Sequence, residues 1–125
     1  MRALLEGKKI VITGAARGLG YDFTRAALEA GATVLMVDIL EDLLKERAEL
    51  LQAEGLPASY IVADLSLPEA IDKVAEEVEQ AWSYVDGLIN CAALATGIGG
   101  VDMMNYDPDL WDRVMTINVK GTWLM

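Results

Sequence analysis

Hydrophobic and polar positions along this chain switch between two periods. Short apolar runs rich in β-branched residues recur, and stretches with apolar positions three and four apart separate them. The runs predict strands at Lys9–Thr13, Thr33–Asp38, Ser59–Ala63 and Gly87–Asn90. The first helix is expected from about Leu19 to Ala30, with Leu19, Phe23, Ala26, Ala27 and Ala30 inward and Gly31 as its stop. A charged helix follows near Glu41–Glu54 and ends at Gly55. A third spans about Pro68–Trp82, with Ile71, Val74, Ala75, Val78, Ala81 and Trp82 on one face. After a Gly-rich loop to Asn105 comes a last helix with Asp107 as N-cap and Pro108 first. On that helix Asn118 shares a face with Trp111, Val114, Met115 and Thr122, which predicts a packed amide. Gly121 costs roughly 1 kcal/mol against Ala in mid-helix, which predicts close approach of another segment.

About four βα units plus a final helix make an α/β fold, a Rossmann-type doubly wound parallel sheet. Residues 1–125 are at most one domain, and that sheet is incomplete. Ligands bind such sheets at the carboxyl ends of the strands, near the point where strand order reverses. Gly14, Asp38, Asp64 and Asn90 all fall at strand carboxyl ends, so one ligand can touch all four. The most informative stretch is V-I-T-G-A-A-R-G-L-G, Val11 to Gly20. A strand, a glycine turn and a helix start form an anion site, because the first helical N–H groups are free and the helix dipole adds positive charge. Gly14 allows the sharp exit from the strand, Gly18 removes a Cβ where a pyrophosphate must come close, and Gly20 lets the helix pack tightly. The spacing is G-x-x-x-G-x-G rather than G-x-G-x-x-G. An acid at the end of the second strand, Asp38, stands close to the expected offset.

Composition narrows the classes. The chain is 54% hydrophobic, which fits strands covered on both faces. Net charge is −10 with no basic block, so nucleic acid is not an expected partner. No apolar run approaches the ~20 residues of a membrane span, and none near the start suits a signal peptide. The one cysteine, Cys91, excludes an internal disulfide and reads as a small buried filler. A cytoplasmic protein is expected. With no histidine, histidine catalysis and histidine metal ligation are excluded, and no metal site is expected.

Taken together, T-G-A-A-R-G-L-G, Asp38, Asp64-Leu65, N-C-A-A at Asn90–Ala93 and I-N-V-K-G at Ile117–Gly121 resemble the short-chain dehydrogenase/reductase family. That resemblance implies a nicotinamide cofactor and interconversion of a secondary alcohol and a ketone. It places Gly14, Arg17, Gly18 and Leu19 around the adenosine and pyrophosphate, and Asp38 on the adenosine ribose. It puts Asp64 and Leu65 at the adenine, and Asn90 and Ala92 near the nicotinamide-side ribose. Asn118 is then the catalytic asparagine that holds a water in a proton relay. Asp38 implies NAD in preference to NADP. Ala93 stands where the family usually has Gly.

The family's chemistry also needs a serine and a Tyr-x-x-x-Lys pair. Here Tyr21, Tyr60, Tyr84 and Tyr106 are followed four residues on by Arg25, Asp64, Leu88 and Leu110. Ser59, Ser66 and Ser83 all precede the strand of Asn90. The expectation is the amino-terminal, dinucleotide-binding half of a single domain, truncated before the catalytic Ser and Tyr-x-x-x-Lys and inactive alone. Its completed form is expected to act on a small-molecule alcohol or ketone and to be a homo-oligomer. Two alternatives stay open. One is a nucleotide-binding module, or a truncated product, without chemistry. The other is a methyltransferase-type fold, against which Asn90-x-Ala and Asn118 argue.

Overall fold

A computed structural model describes residues 3–125. Four strands, β1 (Lys9–Thr13), β2 (Thr33–Asp38), β3 (Ala58–Val62) and β4 (Gly87–Asn90), form one parallel sheet in the order β3-β2-β1-β4. Helices α1 (Gly18–Glu29), α2 (Glu41–Ala53) and α3 (Pro68–Trp82) connect them. After β4 a short 3₁₀ turn, Met103–Asn105, precedes α4 (Pro108–Met115). The last helix then runs on through a π-helical stretch, Thr116–Gly121, into α5 (Thr122–Leu124). Asp107 caps α4 by accepting from the Asp109 N–H at 3.0 Å, with Pro108 at the first position.

Period-two alternation sends successive strand residues to opposite sheet faces. Ile10, Ile12, Val34 and Met36 bury against Ala27 and Leu28 of α1 and Leu44, Ala48 and Leu51 of α2. Val11, Leu35 and Val37 bury on the other face, with Ile71 and Val74 of α3 and, less completely, Leu124 and Met125. The central strands β1 and β2 are therefore covered on both faces, whereas β4 leaves alternate residues exposed and β3 exposes Ser59, Tyr60 and Val62. β3 starts one residue earlier than the pattern predicts, because the Leu56–Pro57 turn already bonds into the sheet through Val34 N–H to the Pro57 carbonyl.

Three predicted faces turn out differently. On α1 the buried stripe is Gly20, Thr24, Ala27 and Leu28, while Leu19 is 68% and Phe23 is 41% exposed. A hydrophobic count passes over Gly and Thr, yet Gly20 is the contact point. The Thr24 hydroxyl is satisfied internally by donating to the Gly20 carbonyl at 2.8 Å. On α3, Ile71 and Val74 are buried as expected, but Ala75 and Ala81 are exposed. On the last helix Val114, Asn118 and Thr122 are half-buried, while nothing among the described residues covers Trp111 or Met115. No helix among the described residues is long and apolar enough to cross a membrane.

Candidate functional site

Strand order reverses between β1 and β4, and the carboxyl ends of these two strands are bound together there. The Thr13 hydroxyl, buried at the end of β1, accepts from the Cys91 and Ala92 N–H groups at 3.2 and 3.1 Å. Gly14 follows with φ of +66°. A Cβ there would lie 2.8 Å from Ala92 N and from the Cys91 carbonyl carbon. Gly14 is thus needed both for its left-handed backbone and because the β4 exit crosses directly against it. A Cβ on Gly20 would collide with the Gly14 carbonyl oxygen, so α1 packs tightly on the turn. Gly18, with φ of +57°, has nothing within 4 Å of its Cβ position and faces open space. The N-cap of α1, Arg17, makes no side-chain cap bond, which leaves the first N–H groups of α1 without a side-chain acceptor.

Asp38 ends β2 and braces this turn. Its Oδ2 accepts from the Ala16 N–H at 3.0 Å and its Oδ1 from the Leu40 N–H at 3.0 Å. Each oxygen keeps acceptor capacity, since a carboxylate offers about four lone-pair sites. Asp64, just after β3, closes an Asx turn. Its Oδ1 accepts from the Ser66 N–H at 2.9 Å and the Ser66 hydroxyl at 2.7 Å, and its Oδ2 accepts no bond among the described residues.

The last helix forms the remaining wall. A Cβ on Gly121 would lie 2.7 Å from the Leu65 carbonyl oxygen, so Leu65 is the close-approaching segment that this mid-helix glycine predicts. Three residues earlier, the Asn118 amide pairs with the backbone of Leu94. Its Oδ1 accepts from the Leu94 N–H at 2.7 Å and its Nδ2 donates to the Leu94 carbonyl at 3.1 Å. This pins the loop after β4 to the helix.

These elements enclose a cleft of about 430 Å³, within the range of small-molecule sites. Of the ten residues singled out in the sequence, Gly14, Arg17, Gly18, Asp38, Asp64, Leu65 and Ala92 line it together. Leu19, Asn90 and Asn118 are not among its lining residues. The sequence pattern did not point to Arg113 and Ile117, which the last helix brings into the wall, nor to Ile39 and Leu40 after β2. The step of four from Gly121 back to Ile117 and Arg113 is the signal that was available. Cys91 also lines the cleft. Burial pushes its thiol above the ordinary cysteine range, so it is not activated as a nucleophile. No cluster of potential metal ligands occurs among the described residues.

Unfilled space at Gly18, an uncapped helix start, free lone pairs on Asp38 and an unused Asp64 oxygen suit a ligand with phosphate and ribose groups. A parallel sheet with a glycine turn at its switch point defines the nucleotide-binding class of α/β folds. Within that class the chain belongs to the short chain dehydrogenase family, which it matches over residues 8–125. It is 35% identical over 120 residues to a 2-(S)-hydroxypropyl-CoM dehydrogenase of Xanthobacter autotrophicus, covering 96% of this chain and 46% of that protein. A Burkholderia phymatum short chain dehydrogenase/reductase in complex with NAD superposes with a TM-score of 0.89 at 27% identity, covering 97% of this chain and 42% of that one. A Shigella flexneri short chain dehydrogenase complexed with NADP superposes at 0.88 with 28% identity, covering 99% and 52%. The chain spans about half the length of the relatives it matches. The family binds NAD(P).

Proposed function

We propose that residues 1–125 form the dinucleotide-binding half of an oxidoreductase that interconverts a small secondary alcohol and a ketone, with NAD as its cofactor. The bound nicotinamide supplies the hydride donor or acceptor. The chain's own residues bind and orient it. Gly14, Arg17, Gly18 and Leu19 hold the adenosine and pyrophosphate, with the α1 N–H groups facing the phosphates. Asp38 accepts from the adenosine ribose hydroxyls, Asp64 and Leu65 border the adenine, and Asn90 and Ala92 approach the second ribose. Asn118 fixes Leu94 and so the wall beside the cleft.

The observation that carries the choice of NAD is Asp38, whose carboxylate lines the cleft while held by two backbone N–H groups. NADP brings a 2′-phosphate of about −1.5 to −2 charge to the ribose. Two unit charges ~4 Å apart at an effective dielectric of ~20 interact by about 4 kcal/mol, an upper limit near a surface. A third of that is roughly tenfold in affinity. Arg17 opposes the effect in part but does not remove the carboxylate.

The test is calorimetric titration of the chain with NAD and NADP. NAD is expected to bind at least about tenfold tighter, and equal or tighter NADP binding overturns the choice. Proton management is a separate matter. No tyrosine in this chain is followed by lysine four positions later, and Asn118 has no acidic proton. A general acid or base contributes about 10²–10⁴-fold. We therefore expect no turnover of secondary alcohols or ketones by the chain alone, followed by absorbance of the reduced nicotinamide. Turnover well above a denatured control refutes this part.

A further inference from the structure

Arg113 lines the cleft as a cation that neither the glycine turn nor the strand ends account for. It stands on the cleft-facing stripe of the last helix. Gly121 seats that stripe on the Leu65 backbone, and Ile117 and Arg113 follow at steps of four toward the helix start, both lining the cleft. Asp109, four positions before Arg113, is the natural helical ion-pair partner. None of the salt bridges among the described residues includes Arg113. Arg113 therefore lines the cleft with no ionic partner among the described residues.

The surroundings favour a flat apolar ring rather than a phosphate. Ile39, 57% exposed, and Leu40, 37% exposed, line the cleft together with Leu65 and Ile117. The free helix start and Arg17 belong to α1, which packs on one face of the sheet. The last helix packs on the other face, through Leu124 and Met125. Phosphate groups gather at the α1 side, so a guanidinium on the opposite element meets another part of the ligand. Arginine stacks on aromatic faces through its planar, weakly hydrated head, and lysine cannot reproduce that geometry.

We propose that Arg113 closes the adenine end of the cleft, laying its guanidinium against the purine ring of a bound adenine nucleotide. The proposal rests on the nucleotide-binding reading given above. The experiment titrates the chain and its Arg113→Ala and Arg113→Lys variants with AMP, NAD and nicotinamide mononucleotide, followed by NMR shifts and calorimetry. Arg113 is exposed on the helix surface, and both replacements favour helix, so the fold is retained and circular dichroism checks it. Arg113→Ala is expected to weaken AMP and NAD about five- to tenfold and leave nicotinamide mononucleotide unchanged. Arg113→Lys is expected to lose nearly as much. Full affinity in Arg113→Lys means that charge on a phosphate is what matters, and it overturns the proposal. So does an equal loss for nicotinamide mononucleotide, or no loss for AMP. If the unaltered chain binds neither AMP nor NAD at millimolar concentration, the nucleotide reading fails and this inference falls with it.

Discussion

Replacing Asn118 by Asp exchanges a single NH₂ group for an oxygen, and the structure makes the outcome pH-dependent. Asn118 Oδ1 accepts from the Leu94 N–H at 2.7 Å, a bond the introduced carboxylate keeps. Asn118 Nδ2 donates to the Leu94 carbonyl at 3.1 Å, and there an ionised oxygen faces another oxygen. One hydrogen bond is lost, about 0.5–1.5 kcal/mol net, and a partly buried carbonyl is left without a donor, at about 1–3 kcal/mol. The variant should therefore be about 1.5–4.5 kcal/mol less stable at neutral pH. Protonation reverses this, because the introduced O–H can donate to the Leu94 carbonyl. The folded protein then holds this proton more tightly than the unfolded chain, whose Asp titrates near 3.9. Stability relative to the parent is greatest below that value and falls as pH rises through the raised folded value. Urea unfolding of both proteins, read by tryptophan fluorescence at about pH 4 and about pH 7, measures the difference. A difference that is the same at both pH values, or below about 0.5 kcal/mol at pH 7, shows that the amide does not pin Leu94.

Gly20→Ala should cost roughly 3 kcal/mol or more, since its Cβ meets the Gly14 carbonyl oxygen. Gly18→Ala, with open space but positive φ, should cost about 1–2 kcal/mol, and equal losses in thermal melts would refute the packing argument. Asp86 is held below the ordinary carboxylate range first by the Lys9 N–H, which donates to it at 2.8 Å, and then by the charge of Lys8. Its stabilising contribution is present above the unfolded value near 3.9 and is lost as pH falls through the lower folded value. The margin of the parent over Asp86→Asn should therefore shrink as pH falls below the unfolded value near 3.9, and a constant margin would contradict this. Among the described residues β4 pairs only with β1. Beside it an apolar groove of about 430 Å³ includes Val11, Val78, Leu88 and Met125, so the chain is expected to self-associate. A single monomer peak in light scattering would rule that out.

The order of elements was legible because strands buried on both faces read as apolar runs, and Gly31, Gly55 and Pro108 punctuate them. Where a residue's face depends on its neighbours, the pattern misled. Leu19 and Phe23 are apolar and outward, while Gly20 and Thr24 are the contacts, because close approach selects for small size rather than hydrophobicity. The glycine turn, Asp38 and Asp64 were readable as a site because their positions at strand ends are dictated by topology. Arg113 was not, since an arginine on a polar helix face looks like any solvated charge until the helix is docked on Leu65. The Asn118–Leu94 pairing joins groups 24 positions apart, and spacing alone gives no sign of it.

The bond from Thr13 to the β4 exit also carries a kinetic meaning. β1, β2 and β3 can zip together through crossovers of modest length, but Thr13 meets Cys91 across 78 positions of chain. With the first three strands paired, residues 63–86 are the segment still to be closed, and that closure brings the β4 exit onto Thr13. Gly14 rests directly against the segment that this step delivers. The cleft is thus absent from any partly folded form in which only the first three strands have paired. A molecule that occupies it meets the chain only after this closure is complete, and so acts by holding the finished sheet shut rather than by hastening its formation.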